Sequence, residues 1–182
     1  MKSIVLVSGW AGAGKDTFAR FMKEFAPDKV EIMRFAEPIK EWLAIIEGVP
    51  REWMDDPVKK LPYREKMQRM GTEVFRDQID KQFWVRWLMG RALECEKSIV
   101  VVPDARFKNE IDPFFDDKRF LPFPVRIERD GHKAVNEHLS EHDLDDYEHF
   151  LHKLFIPENG LCYLHGAAVS LVQFIGHLRS AA

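Results

Sequence analysis

The stretch "SGWAGAGKDTFAR", residues 8–20, decides the fold. An apolar, β-branched run precedes it at residues 4–7, and residues 17–25 have the pattern of a helix, so the glycines lie between a strand and a helix. Glycines let backbone N–H groups turn toward phosphate oxygens, and a helix N-terminus adds partial positive charge. The stretch therefore predicts a phosphate-binding loop. Its pattern, G-x4-G-K, is completed by Gly9, Gly14 and Lys15.

The residue after the lysine departs from a strict Walker A loop. Asp16 stands where Ser or Thr would hold magnesium, and the hydroxyl arrives one residue later at Thr17. Adenylate-kinase-like enzymes share this spacing, so we expect Asp16 to meet Mg²⁺ through water and Thr17 to reach an ATP phosphate. The alternative is that Asp16 is a carboxylate favoured by the helix dipole. The predicted ATP phosphate site comprises Ala11, Gly12, Ala13, Gly14, Lys15, Asp16 and Thr17.

Composition excludes several classes of function. The 182 residues fit one domain, and 46% hydrophobic with 31% charged residues is ordinary for a globular protein. A net charge of -3 argues against polymeric nucleic acid as a partner but allows a small phosphorylated molecule at a local arginine cluster. Cys95 and Cys162 form no disulfide framework, which favours a reducing cytoplasm. The sequence predicts neither a signal peptide nor an apolar segment of about 20 residues, so no membrane is expected.

Strands and helices alternate along the chain. A helix is predicted to open near Pro38, others are expected at residues 64–79, 81–96 and 161–178, and residues 48–63 are predicted to be an exposed connection. This alternation predicts an α/β fold with a parallel sheet of about five strands, helices on both faces, and ligands at the carboxyl ends of the strands. The predicted strands are residues 4–7, 30–35, 98–102, 124–128 and 154–156.

The third predicted helix separates apolar from polar residues. At 100° per residue one face carries methionines, Val74 and Phe75, and the other carries arginines and polar side chains. A solvated polar face is the simple interpretation, but Gly71 in the helix interior costs about 1 kcal/mol relative to alanine, which indicates close packing there. Two arginines on this face could clamp a nucleotide's phosphate, and Gln68 could bond to a base edge.

Together these pieces resemble the phage-type deoxynucleoside monophosphate kinases of the P-loop nucleotide kinase superfamily. The resemblance implies an adenylate-kinase-like three-layer fold that transfers the γ-phosphoryl group of ATP to a deoxynucleoside monophosphate, with Mg²⁺. It also implies a cytoplasmic location (the host cytoplasm if phage-encoded), small-molecule nucleotides as partners, and a fold that admits a homodimer. The matching motifs are "GWAGAGKDT" (9–17), "RFAEPIK" (34–40), "MQRMGTEVFR" (67–76), "FW" (83–84), "DARFKNE" (104–110) and "HLSE" (138–141).

The resemblance also implies roles for individual residues within a single domain, 1–182. Lys15, Arg129 and Asp104 would be the catalytic residues. Lys15 would neutralise the migrating phosphoryl group, Asp16 and Asp104 would hold Mg²⁺ through water, and Arg129 would stand at the start of a lid at residues 129–143. The adenine side would be Asn159 and Gly160. A helical part at residues 38–96 would bind the acceptor. The acceptor residues implied are Phe35, Arg64, Gln68, Arg69, Thr72, Arg76, Trp84, Asp104, Arg106, Glu110 and Glu141, with Arg51 and Arg64 as alternative phosphate ligands.

Several alternatives stay open. His138, Glu141 and His142 spell H-x-x-E-H, a zinc pattern, although Ser140 and Asp143 form a capping box in the middle of it. The phosphate loop also suits another acceptor, such as dephospho-coenzyme A or phosphomevalonate, against which the "MQRMGTEVFR" helix argues without excluding it. A non-catalytic ATP-binding protein is the third alternative. Asp104 and Asn159-Gly160 are also ordinary turn residues, and aromatic side chains are more often core than ligand contacts.

Overall fold

The computed structural model describes residues 1–133 and 139–181. It contains a five-stranded parallel sheet in the order β2-β3-β1-β4-β5. The predicted parallel α/β architecture is therefore confirmed. The strands are β1 (Lys2–Ser8), β2 (Val30–Ile32), β3 (Ile99–Val102), β4 (Phe120–Arg129) and β5 (His152–Ile156).

Helices connect the strands and cover the sheet. A π-helix (Arg69–Ile79) continues directly from α3, and 3-10 turns occur at Arg51–Met54, Leu61–Tyr63 and Lys108–Glu110. The predicted connection at residues 48–63 is thus partly folded, and Met54 in it is fully buried near Leu43, which corrects the expectation of an exposed segment. The α-helices are α1 (Lys15–Phe25), α2 (Glu37–Glu47), α3 (Arg64–Gln68), α4 (Phe83–Glu94), α5 (Pro113–Asp116), α6 (Leu139–His142) and α7 (Leu161–Ala181).

Two hydrophobic cores lie on opposite faces of the sheet. Because side chains alternate along a strand, Val5 and Val7 of β1 face one core, whereas Ile4 and Leu6 face the other. The first core is closed by α1 and α7, and the second by α2 and α4. Every residue of β3 is buried, as expected for a central parallel strand covered on both faces.

Strand β4 begins earlier than the sequence predicts. The sequence predicts a start at residue 124, and Pro122 and Pro124 lack the N–H that a central strand normally donates. In the structure β5 pairs only with Val125–Arg129, so the earlier part of β4 pairs with β1 alone. A proline on that unpaired edge leaves no ladder hydrogen bond unmade.

Helix α7 is the longest apolar element of the described residues. By length and composition, Leu161–Ser180 could cross a membrane, with a mean hydropathy of 1.3, so the expectation that no segment approaches this length was wrong. Core helices pass the same test. Leu164, Leu171 and Ile175 of this helix are buried in the first core, against the sheet and α1.

Candidate active site

A cleft of about 350 Å³ opens at the carboxyl ends of β1, β2 and β3. The phosphate loop forms one wall, and the segment from α2 to the π-helix forms another. Its lining is strongly cationic, since only four carboxylates accompany seven basic side chains. Those basic side chains are Lys15, Arg34, Lys40, Lys60, Arg64, Arg76 and Arg106.

The phosphate loop is built on glycines with positive φ. Gly9 has φ 140°, and a Cβ there would overlap the carbonyl oxygen of Ile127 in β4. Lys15 lies at the start of α1, and its Nζ donates to the carbonyl oxygens of Gly9 (2.5 Å) and Trp10 (2.8 Å). Burial, followed by the positive charge of Arg106, lowers the pKa of Lys15 to about 8. A bound phosphate would place negative charge beside the Lys15 ammonium group and so stabilise its charged form.

Asp16 and Asp104 both line the cleft but have different environments. The side chain of Asp16 is 75% exposed and accepts a hydrogen bond from Arg34 (2.9 Å). The Asp104 oxygens accept the backbone N–H groups of Phe35 (3.1 Å) and Ala36 (3.0 Å). Asp104 therefore fixes the loop that leads into α2, and burial raises its pKa.

The two carboxylates are candidates for holding a magnesium ion through water. Carboxylate oxygen is the ligand type that Mg²⁺ prefers, and the ion usually keeps several of its waters. Asp16 is exposed enough to accept from such a water. The described residues hold no group of three His, Cys, Asp or Glu side chains that could form a complete metal cage. The magnesium roles of both residues stay predictions.

Two buried carboxylates lie near Arg106 at the cleft, one in the segment after β3 and one in α6. Glu110 Oε2 accepts the backbone N–H groups of Arg106 (2.6 Å) and Phe107 (3.0 Å), and burial raises its pKa to about 8. The Arg106 guanidinium donates to Glu141 (2.6 Å), whose side chain is only 4% exposed. The structure thus brings together Arg106, Glu110 and Glu141, which the resemblance had placed in one cleft.

In the structure, the residues of the predicted polar face fall into two groups, those that line the cleft and those that face solvent. Its i→i+5 hydrogen bonds widen the turn, so each residue advances by less than 100° and residues four apart fall nearly in line. Gln68, Thr72 and Arg76 accordingly line the cleft. Arg69 instead faces solvent, where its side chain is 75% exposed and pairs with Glu73 (3.5 Å). The structure does not place Arg69 where its predicted contact with the acceptor phosphate needs it, which corrects that prediction.

Gly71 of the π-helix has the close neighbour that the sequence predicts. A Cβ on Gly71 would lie 2.8 Å from Cδ1 of Ile39 in α2. Its carbonyl oxygen accepts a hydrogen bond from Trp84 Nε1 (2.9 Å). Trp84 and Phe35 border the cleft but are each only 4% exposed. Both rings are therefore largely core residues, the alternative that the sequence left open.

Arg76 is a cleft arginine with a largely buried side chain. Its side chain is 12% exposed, its guanidinium lies 3.8 Å from the centre of the Phe107 ring, and its terminal nitrogens reach Asp77 (2.8 Å) and Asn109 (3.3 Å). Its buried Nε has no hydrogen-bond partner among residues 1–133 and 139–181. Because Arg76 lines the cleft, its guanidinium is placed to meet an anionic ligand there.

The segment at residues 48–66 supplies cations that the sequence only partly identified. Arg51 is paired with Glu37 and with Asp55 (2.8 Å), away from the cleft lining, so Arg64 is the better of the two predicted alternatives. Neither Arg64 nor Lys60 has a carboxylate within 4 Å in the described part of the chain. No sequence signal marked Lys60. Two further cleft cations, Arg34 and Lys40, lie inside the quoted "RFAEPIK" motif.

The predicted lid is described only in part, because residues 134–138 lie outside the described residues. Arg129 ends β4 and donates to the carbonyl oxygen of Glu158 (2.7 Å), so it points to the turn before α7 and does not line the cleft. That turn also holds exposed Asn159 and buried Gly160. The structure therefore groups Arg129 with the predicted adenine side and away from the acceptor.

Among the described residues, the structure forms no group of three side chains that could hold zinc. His138 lies outside the described residues, Glu141 is paired with Arg106, and His142 Nδ1 lies 3.0 Å from Asp145. Carboxylates already engaged with cations are poor candidates for a zinc cage.

Comparisons with known proteins connect this geometry to a family. A family model described as phosphomevalonate kinase matches residues 7–120. A phosphomevalonate kinase from Drosophila melanogaster is 28% identical over 162 residues, covering 80% of this chain and 83% of the relative.

Two solved structures are similar to this chain, and the first of them shares its fold. A protein from Chloroflexus aurantiacus described as a candidate kinase aligns with a TM-score of 0.50 and 12% identity, covering 100% of this chain and 98% of its own. A gluconokinase from Sinorhizobium meliloti 1021 aligns with a TM-score of 0.47 and 15% identity, covering 100% and 97%. With the parallel sheet and phosphate loop, the fold is that of a P-loop kinase. The matches support a small-molecule kinase and give no support to deoxynucleotide specificity.

Proposed function

Because this chain belongs to the phosphomevalonate kinase family, we propose that it transfers the γ-phosphoryl group of ATP to the phosphate group of phosphomevalonate. A phosphate oxygen of the acceptor bonds to the γ-phosphorus as the bond from that phosphorus to the β–γ bridging oxygen breaks. The products are ADP and the diphosphate ester. The observation that carries the proposal is the convergence of seven basic side chains on one cleft beside the phosphate loop.

Charge neutralisation is the main work of these side chains. Two phosphate groups must approach each other, and phosphoryl transfer leaves little covalent chemistry to the protein. Lys15 would follow the migrating group from the donor side. Arg76 and Arg106 would hold the acceptor phosphate in line with it. Mg²⁺, when bound near Asp16 and Asp104 through water, would neutralise charge on the donor phosphates.

The other wall of the cleft favours an acceptor with a second anionic group. Lys60 and Arg64 line this wall without a carboxylate partner among the described residues. Phosphomevalonate carries a carboxylate in addition to its phosphate, and these two side chains would bind it. A lid at residues 129–143 would exclude water before transfer, so that the acceptor rather than water receives the phosphoryl group.

A deoxynucleoside monophosphate is the second candidate acceptor. The Gln68 amide and the Thr72 hydroxyl line the cleft, where they could bond to the edge of a base. Against this, the aromatic rings that border the cleft, Phe35, Trp84 and Phe107, are each 4% exposed and present little surface for stacking. We therefore rank phosphomevalonate first.

One assay separates these acceptors. The protein and Mg-ATP are incubated with phosphomevalonate, with unphosphorylated mevalonate, with each deoxynucleoside and ribonucleoside monophosphate, and with dephospho-coenzyme A, and ADP release is followed. We expect the highest kcat/KM with phosphomevalonate and none with mevalonate. A higher value with a deoxynucleoside monophosphate would favour the second candidate. No acceptor-dependent ADP with any compound would leave a non-catalytic ATP-binding protein.

Lys15→Met tests the chemistry independently of the acceptor. We expect kcat to fall by roughly 10²–10³-fold or more, the usual loss when one group that stabilises transition-state charge is removed. The circular dichroism spectrum should be unchanged, since the side-chain hydrogen bonds that Lys15 makes with the described residues lie within its own loop. Retained turnover would contradict the role assigned to Lys15.

We further propose a cytoplasmic location and small phosphorylated molecules as partners, with no polymeric nucleic acid and no membrane. A homodimer is also a proposal, and sedimentation equilibrium of the purified protein tests it.

A further inference from the structure

The turn after β4 folds a histidine back onto the phosphate loop. The His132 N–H donates to the carbonyl oxygen of Arg129 (3.1 Å), and Gly131, with φ 75°, supplies the left-handed backbone that this tight turn requires. Asp130 N–H donates to the carbonyl oxygen of Ile156 in β5 (3.1 Å). The turn is therefore attached to both strands, and the position of His132 is set by the sheet.

The imidazole ring has a defined orientation. His132 Nδ1 lies 3.2 Å from the carbonyl oxygen of Asp130, and because a carbonyl only accepts, Nδ1 is the donor in this hydrogen bond. The other edge of the ring faces the loop. A Cβ on Gly12 would lie 2.8 Å from Cδ2 and 2.9 Å from Nε2 of His132. The ring can contact the loop here only because position 12 has no side chain.

We propose that His132 is a nucleotide-positioning residue, whose ring holds the loop at Gly12 and, as an imidazolium in which both nitrogens donate, donates from Nε2 to the polyphosphate of ATP. Gly12 lies in the middle of the loop, whose backbone N–H groups face the donor phosphates. A ring in contact with Gly12 is therefore at the edge of the phosphate site. His132 does not line the acceptor cleft, so its effect falls on ATP. The proposal relies on the proposed function only for ATP as the donor and not for the identity of the acceptor.

The test compares His132→Ala with His132→Gln, whose amide can donate from a similar position. MgATP affinity is measured by calorimetry without any acceptor, so that an error in the acceptor does not affect the result. We expect His132→Ala to weaken MgATP binding by about fivefold to tenfold, the size typical of one hydrogen bond, and His132→Gln to recover most of the loss. With an active acceptor, its KM should change by less than about twofold while the KM for ATP rises.

His177→Ala is the matched control. His177 Nδ1 also lies against a backbone carbonyl oxygen, that of Gln173 (2.8 Å), but in α7, and its loss should leave the MgATP affinity unchanged. Unchanged MgATP affinity in His132→Ala would overturn the proposal, as would equal weakening in the alanine and glutamine variants.

A double-mutant cycle adds a test that does not depend on either single variant alone. Gly12→Ala places a methyl group against the ring and strains the backbone, whose φ is 79°. The backbone strain is the same whether or not His132 is present, whereas the steric clash between the methyl group and the ring occurs only when His132 is present. We expect Gly12→Ala to weaken MgATP binding less in the His132→Ala background than in the wild-type protein. Equal losses in both backgrounds would show that the ring does not contact the loop and would overturn the proposal.

Discussion

Arg76 and Arg69 have opposite surroundings although they lie seven residues apart on the same π-helix. Arg76 is 12% exposed and borders the cleft, so Arg76→Ala should remove a charge-assisted hydrogen bond of about 1.5–3 kcal/mol to the acceptor phosphate. We therefore expect the KM for the acceptor to rise by roughly 10–100-fold, and the KM for ATP to change far less. Steady-state kinetics with each substrate varied in turn measures both constants.

Arg69→Ala is the matched control for this experiment. The same charge is removed from the same helix, but the side chain is 75% exposed and its ion pair among the described residues is with Glu73. Neither KM should change by more than about twofold, because exposed ion pairs contribute little. An acceptor KM that rises equally in both variants would mean that the net charge of the helix, rather than the position of Arg76, attracts the acceptor.

Glu110 makes stability depend on pH. Its pKa is about 8 in the folded protein, raised by burial from an ordinary value of 4.5, so the folded state holds a proton that the unfolded state releases. This contribution to stability is complete below about pH 4.5 and is lost as the pH rises through about 8. Glu110→Gln keeps the shape and the acceptor oxygen but cannot ionise. Relative to the wild type, the variant should gain a few kcal/mol in free energy of unfolding between about pH 5 and about pH 8.5.

Urea denaturation at a series of pH values provides this measurement. Glu96→Gln is the control, because Glu96 is exposed and its removal should leave the pH dependence unchanged. A constant difference between wild type and Glu110→Gln across this range would show that the carboxyl group is ionised throughout, contrary to the pKa given above.

At the scale of elements, the conformation of the phosphate loop requires a close approach of its backbone to β4. A Cβ on Gly9 would overlap the carbonyl oxygen of Ile127, which belongs to a paired strand and cannot move freely. Gly9→Ala should therefore displace the loop, cost about 1–3 kcal/mol of stability and abolish MgATP binding. Thermal unfolding with and without MgATP measures both effects.

Gly90→Ala is the corresponding control. Gly90 lies in α4, where an added Cβ would have no neighbour within 4 Å. Alanine is favoured over glycine in a helix, so this variant should be up to about 1 kcal/mol more stable and bind MgATP normally. If Gly9→Ala behaved like Gly90→Ala, the approach of the loop to β4 would not matter for the site.

The elements that the sequence predicted well are those controlled by local pattern. The β-branched run of β3 and the glycine loop before α1 require no knowledge of distant neighbours. The start of β4 was missed because tolerance of Pro122 and Pro124 depends on where β5 begins to pair, a tertiary property. Arg69 was misplaced because an assumed 100° per residue does not hold in a π-helix, whose presence nothing in the local sequence indicated.

At the scale of the whole molecule, the site is assembled from segments that are far apart in the chain. Asp104, at the end of β3, holds the backbone of Phe35 and Ala36, and Arg106 meets Glu141 across 35 residues of sequence. Motifs predicted these segments one by one, but only the fold shows which side chains share a cleft. Lys60 illustrates the limit, since a lysine in a loop carries no sign of its neighbours until the loop is folded against α2 and the π-helix.

The distribution of charge over the whole molecule gives a final prediction. The chain has a net charge of -3, yet seven basic side chains line the cleft, so the local potential is opposite in sign to the overall charge. Salt shortens the Debye length from about 10 Å at 0.1 M to about 3 Å at 1 M, which screens the attraction of an anionic acceptor. The KM of the acceptor should therefore rise with ionic strength while kcat changes little.

Because Arg64 borders the cleft without a carboxylate partner among the described residues, Arg64→Gln should flatten this salt dependence, whereas Arg69→Ala should not. A salt dependence that is identical in both variants would show that the overall field of the protein, and not the cleft, steers the acceptor.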